Sequence, residues 1–218
     1  MERSNSISNV ELVKEQIHLQ NFCHLDAAQS QMILHWRNHP NVRRWLFNQQ
    51  PISTEEHQQF LKRLQQDDRR KYWLLCVDGK ELGVLNLHQL PTGRMEWGFH
   101  LNPHEMGRGI DLMYYALQYF FEVRKIKRIY GFVDYRNTTA LLLHDFFALE
   151  SLGYQWKVFG GMERCFALRA KSANNWDASL SLKDWKKSLL TSKVFMSRQR
   201  QLIGRYQSSI AELHSNRP

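Results

Sequence analysis

The residues best suited to chemistry lie in one run, Phe99-His100-Leu101-Asn102-Pro103-His104-Glu105-Met106-Gly107-Arg108-Gly109-Ile110. An apolar strand pattern leads into a turn that holds two glycines, and a helical pattern starts at once. A strand that meets a helix in this way can aim the backbone N–H groups of Met106, Gly107, Arg108, Gly109, Ile110 and Asp111 at one point, with the positive end of the helix dipole behind them. Such a turn can hold a pyrophosphate. Gly107 and Gly109 suit it because a Cβ would keep the anion off the backbone, and because a positive φ at either costs a glycine little. The run lacks the Gly-Lys-Ser/Thr of a P-loop and the third glycine of a dinucleotide fingerprint, so nucleotide hydrolysis and hydride transfer have no motif here. On its own the pattern also fits an ordinary strand-to-helix turn. The surrounding elements must decide.

Two helices come first. Asp26 caps one that carries Met32, Ile33, Leu34 and Trp36 and stops before Pro40. Ser53-Thr54-Glu55-Glu56 is a capping box for the second, where Phe60, Leu61 and Leu64 fall at helical spacing and 65–70 form a solvated exit. Residues 72–77 and 82–87 read as strands joined at Asp78-Gly79, and Pro91-Thr92-Gly93 turns the chain into a third strand, 95–101. Beyond the glycine turn the spacing predicts a helix over 111–124, a strand over 128–133, a helix over 138–152 and strands over 154–159 and 164–170. This order makes an α/β (α+β) chain with a mixed sheet and helices on its faces.

Composition narrows the function classes. With 218 residues, 43% hydrophobic and 23% charged, the chain can bury a large core without disulfide or metal staples. Cys23, Cys76 and Cys165 lack metal-ligand spacing and read as reduced thiols, so no metal site is expected. No run of about 18 apolar residues is present, and the first 26 residues carry Glu2, Glu11, Glu15 and Asp26 without an apolar h-region. A cytoplasmic protein without membrane contact is expected. The net charge of +9 calls for a polyanionic partner: a phosphate-bearing small molecule, nucleic acid or an anionic membrane surface. Residues 171–218 hold nine Lys/Arg against three Asp/Glu, or +6 of that +9. The reading divides the chain into a main domain, 1–170, and a basic helical C-terminal extension, 171–218. In the extension Leu182, Trp185, Leu189, Leu190, Val194 and Phe195 keep helical spacing for packing on the domain or on a second subunit. Lys183, Lys186 and Lys187 are expected in solvent, and the Ser/Asn-rich residues 1–9 are expected to be mobile.

Set in this order of elements, His104-x-x-Gly107-x-Gly109 resembles the Gln/Arg-x-x-Gly-x-Gly/Ala cofactor motif of the GNAT acyltransferase superfamily, with His104 departing at the first position. Asn137-Thr138-Thr139-Ala140 with Leu143-His144 resembles the start of a late helix in the same superfamily. At the front, Trp36-Arg37-Asn38-His39-Pro40, Arg44-Trp45-Leu46-Phe47-Asn48, Ile52-Ser53 and Glu55-Glu56-His57 with Phe60 are similar to the N-acetyltransferases of pseudaminic acid biosynthesis. The likeness covers roughly residues 15–170.

The resemblance implies the GNAT fold, a mixed, mostly antiparallel twisted sheet flanked by helices, with the helical tail added. It implies acetyl-CoA as co-substrate between splayed fourth and fifth strands, its pyrophosphate on the 106–111 amides near His104, and its thioester carbonyl polarised by an N–H near Phe99 or Leu101. Asn137 then bonds the cofactor arm or caps its helix. A neutral amine attacks the thioester directly. Glu96 is the implied proton acceptor, against a plain surface glutamate. His144 or Tyr154 protonates the departing thiolate, the register between them being left open by a long stretch after Asn137. The implied acceptor is the 4-amino group of a UDP-linked 4-amino-4,6-dideoxy sugar, with Arg37 and His57 near the diphosphate or ribose and Phe47 and Phe60 on the uracil. Against this, Phe60 reads equally well as core and Arg37 as part of a structural ion pair. RimJ and RimL relatives, which acetylate protein N-termini, offer a second enzyme reading. A non-catalytic, charge-driven binding module is the third. A homodimer is compatible with the tail, and nucleic acid is the less favoured partner.

Overall fold

The structure, a computed structural model, describes residues 16–159 and 161–191. Residues 1–9, Val194 and Phe195 lie outside that range. Seven strands form one sheet in the order β1-β2-β3-β4-β5-β7-β6. β1 (Ile17–Asn21), β2 (Arg70–Val77), β3 (Lys80–Gln89) and β4 (Met95–Leu101) make an antiparallel meander. β5 (Arg128–Asp134) joins β4 in parallel, and β7 (Met162–Ser172) lies antiparallel between β5 and β6 (Glu150–Phe159). This is the mixed, mostly antiparallel sheet that the element order implied.

Side chains alternate between its two faces. Leu74 and Val84 meet Ile33 and Trp36 of α1 (Ala27–Asn38) and Leu64 of α3 (Thr54–Gln65) on the front face. On the back, Trp73, Leu85 and Trp97 meet Leu112, Met113 and Leu117 of α4 (Gly109–Gln118). Both front helices start where expected. Asp26 and Ser53 each accept the N3 amide while Gln29 and Glu56 reach back to the cap, which satisfies donors a helix start leaves orphaned. Among the described residues no helix is long and apolar enough to cross a membrane.

Several boundaries differ from the sequence reading. Edge strand β1 and the one-turn α2 (Pro40–Arg43) belong to no predicted element. α5 (Thr138–Phe146) stops six residues short of 152. Lys171 donates its ammonium to the Phe147 carbonyl (2.8 Å), Ala148 turns left-handed (φ 52), and Glu150 already pairs with Ala170 in β7. Lys186 is exposed to solvent as expected, and its ammonium also has a partner. On α6 (Leu182–Thr191) it bonds the Asp111 carboxylate at 2.9 Å, while Leu182 and Trp176 join the core under α4.

The loop between α2 and α3 has little regular structure, and side chains hold it. Arg37 donates to the carbonyls of Gln50 (2.6 Å) and Asn48 (2.8 Å), and Asn38 exchanges two hydrogen bonds with the Ile52 backbone. From β7, Arg164 reaches across to the Leu46 carbonyl (2.7 Å) and pairs through Nε with buried Asp134 (3.1 Å), which Arg136 also bonds. Burial pushes the Asp134 carboxyl up, but the hydrogen bonds from Arg136 and Arg164 outweigh it and hold the group below its ordinary value. With its folded pKa lowered, Asp134 contributes stability above the unfolded carboxylate pKa of about 3.9 and loses it as pH falls through the lower folded value. Asp134→Asn leaves Arg164 buried without its counter-charge and is expected to cost about 3–5 kcal/mol at neutral pH. Denaturant unfolding at a series of pH values is also expected to give the variant a shallower acid loss of stability than the parent; equal acid slopes would deny Asp134 this role.

Candidate active site

The glycine turn takes the form that its spacing suggested. Gly107 has φ +98°, a left-handed conformation that side-chain-bearing residues rarely adopt. A Cβ on Gly109 would lie 3.2 Å from Leu143 Cδ2, so this glycine lets α4 approach α5 closely. Leu112 is the first residue of α4 to donate to a carbonyl of its own turn, that of Arg108 (3.1 Å), which leaves the amides of Gly109, Ile110 and Asp111 at the open N-terminus. The cradle is smaller than the six amides first counted, because the Arg108 N–H donates to the Glu105 carbonyl (3.3 Å).

Beside this turn the sheet opens. β4 and β5 pair only at Met95 with Ile129 and at Glu96 with Tyr130. Asn102 donates to Leu82 of β3, so the two-residue alternation of an antiparallel ladder turns the Phe99 and Leu101 amides the other way, toward the gap. The gap belongs to a cavity of about 1190 Å³ that runs without interruption from Gly107, Gly109 and Ile110, past Phe99 and Leu101, to Phe47 and Phe60 at the front. A thioester carbonyl fits against the freed β4 amides, and a pyrophosphate fits the turn at the far end.

Most of the residues singled out from sequence meet on this cavity. Glu96, Met106, Asn137, His144, Arg37 and His57 line it together with those just named. His104, Arg108, Asp111 and Tyr154 do not. His104 spends its amide on the Asn102 side chain, Asp111 sits in the Arg108 and Lys186 ion pairs, and Tyr154 packs against Val133, Leu141 and Ala167. Asn137 caps α5 through the Ala140 amide (3.2 Å). Two donors of Arg37 are taken by loop carbonyls rather than by a salt bridge. His57 stacks on Phe60 (6.2 Å between centroids), as residues i and i+3 of a helix can. Phe47 meets Phe166 edge-on at 4.9 Å.

Burial governs the histidines. His144 is 3% exposed, stacks on Trp97 at 5.9 Å, and keeps Nδ1 without a hydrogen-bond partner among the described residues. Desolvation, then the like charge of Arg169, push its pKa down to about 3. His57 is lowered by the same burial, against a hydrogen bond to the Ser30 backbone. His100 escaped the sequence reading as a site residue, although it lies inside the quoted run. It stands on the front face of β4 with Glu96, lines the cavity, and places Nδ1 3.3 Å from the Leu101 carbonyl. Burial pushes it down to about 4, Arg37 adding to the shift. Its parity with Glu96 along a strand was the signal available. Asp134, also on the lining, had none, because its partners are 2 and 30 residues away.

Residues 17–144 match the family model described as an acetyltransferase (GNAT) domain. The acetyltransferase PseH of Campylobacter jejuni subsp. jejuni serotype O:23/36 (strain 81-176) is 34% identical over 129 residues, which is 59% of this chain and 82% of that protein. The crystal structure of C. jejuni PseH in complex with acetyl coenzyme A superposes with a TM-score of 0.56 at 26% identity, covering 72% of this chain and 99% of that one. A spermidine N-acetyltransferase from Vibrio cholerae, solved with CoA and spermine, shares the fold (TM-score 0.64, 18% identity, 73% of this chain and 97% of that one). The chain belongs to the GNAT acetyltransferase family and is an acetyl-CoA-dependent N-acetyltransferase.

Proposed function

We propose that the acceptor is the 4-amino group of a UDP-linked 4-amino-4,6-dideoxy sugar, the substrate class implied by the resemblance of the front segments. The observation that carries this reading is the continuity of the cavity. A chamber with Phe47, Phe60, His57 and Arg37 on its walls opens without a barrier onto the gap between β4 and β5. Its aromatic faces suit a uracil ring, and the Arg37 charge suits a diphosphate.

In this proposal the acceptor nitrogen enters from the front and forms a bond to the thioester carbon as the carbon–sulfur bond breaks. The amide of Phe99 or that of Leu101 stabilises the oxygen of the thioester carbonyl. Glu96, at the narrow end of the gap, takes the proton that the ammonium form must lose. His144, which lines the cavity where Tyr154 does not, relays to the departing thiolate the proton that the newly acylated nitrogen gives up.

The direct test is mass analysis of the product formed from acetyl-CoA and UDP-linked 4-amino sugars. A gain of one acetyl group on the sugar is expected; acetylation of peptide N-termini with none on the sugar would overturn the assignment. Glu96→Gln is expected to lower kcat by about a hundredfold or more with little change in KM for acetyl-CoA. His144→Phe is expected to slow turnover while Tyr154→Phe leaves it close to the parent. The reverse pattern would move the acid to Tyr154. Because burial holds His144 near 3 and His100 near 4, both are neutral at pH 7, and the pH–rate profile is expected to show no limb from either near the ordinary imidazole value.

A further inference from the structure

The family match ends at residue 144, and α6 lies beyond it. This helix is firmly placed. Trp176 donates to Glu122 (2.8 Å), Tyr114 donates to the Leu180 carbonyl (3.2 Å), and the Trp185 ring packs on Phe147 at 4.9 Å. The docking carries Lys186 to the first turn of α4. There its ammonium meets one oxygen of the buried Asp111 carboxylate at 2.9 Å, while Arg108 Nε holds the other at 2.9 Å. Arg108 also faces Glu105 at 3.6 Å.

Two carboxylates, Glu105 and Asp111, and one guanidinium would leave the mouth of α4 with a net charge of −1; Lys186 brings it to zero. The sign matters because the amides of Gly109, Ile110 and Asp111 share that mouth. A carboxylate in the first turn of a helix is favourable while the N-terminus is empty. The same carboxylate repels a phosphate that comes to the same amides, unless a cation compensates it.

We infer that Lys186 of the C-terminal extension is a positioning residue for acetyl-CoA, and that it acts by neutralising Asp111 so that the amides of α4 can accept the phosphates. This rests on the reading that the pyrophosphate sits at the glycine turn. Lys186 touches Asp111 and is not itself a ligand of the cofactor. Its side chain is 45% exposed, so its removal is expected to leave the fold standing.

Calorimetric titration with CoA tests the inference on the full chain. Lys186→Met is expected to weaken CoA binding by about threefold to tenfold at low salt and by less at high salt, with the midpoint of thermal unfolding nearly unchanged. Lys186→Arg is expected to restore the affinity. Asp111→Asn removes the charge that needs compensation, so adding Lys186→Met to it is expected to cost nothing further. An unchanged affinity in Lys186→Met, or an equal loss in both backgrounds, would overturn the inference. Gly107→Ala separates this from failure of the underlying reading. If Gly107→Ala binds CoA like the parent, the pyrophosphate is not at the turn and both fall. If it weakens CoA while Lys186→Met does not, only the role of Lys186 falls.

Discussion

The early end of the β4/β5 ladder is the constraint on which the rest of the site depends. Two residue pairs hold these parallel strands together, and beyond them each strand relies on its outer neighbour, β3 for β4 and β7 for β5. Neither strand loses its regular geometry, because each outer ladder is seven residue pairs long. What the parting leaves is a row of backbone groups on β4 without a sheet partner, and such groups in a partly buried gap are costly to leave unmatched. A ligand that brings carbonyl and amide groups along the gap can satisfy them. In the proposed reading, binding and activation of the thioester both follow from this one topological fact.

The front chamber needs a different kind of support. Between α2 and α3 there is no ladder to hold the chain, and carbonyls at 46, 48, 50 and 52 are met by Arg164, Arg37 and Asn38 instead. These contacts span from 11 residues to 118 residues of sequence, so β7 contributes to holding the chamber wall through Arg164 while Arg37 and Asn38 hold it locally. Arg37 illustrates the cost. As a wall of the chamber it presents a cation, but two of its donors already serve the fold, so its charge is more available than its hydrogen bonds.

Local signals in the sequence were readable and distant ones were not. β4 runs over 95–101 as its apolar alternation indicates, and the Asp26 cap and the Ser53 capping box mark the starts of α1 and α3, since each involves residues three apart. A positive φ at Gly107 or Gly109 was legible because only glycine takes it freely, and Gly107 is the one that adopts it. The end of α5 was not: apolar spacing continues through Phe147 and Leu149, both of which are core, while the stop comes from Lys171 and from pairing with β7. β1 is short, and its partner lies some 60 residues on. The pairing of Lys186 with Asp111 is of the same kind. Lys186 is solvated as the polar face of its helix indicates, but which carboxylate it meets depends on how that helix docks.

Proton routing joins the two halves of the site. With pKa values pushed down to about 3 and about 4, His144 and His100 are neutral at pH 7 in the empty cavity and serve there as hydrogen-bonding groups. His144 differs from Glu96 in what surrounds it: Trp97 and Phe99 rings hold water away from the imidazole. The desolvation that keeps it neutral would also amplify any negative charge appearing beside it. A thiolate leaving into this pocket would be such a charge, and it would raise the imidazole's proton affinity at the moment when a proton is needed on sulfur. The low resting value is therefore compatible with a role as proton relay, provided the proton arrives with the charge and not before it.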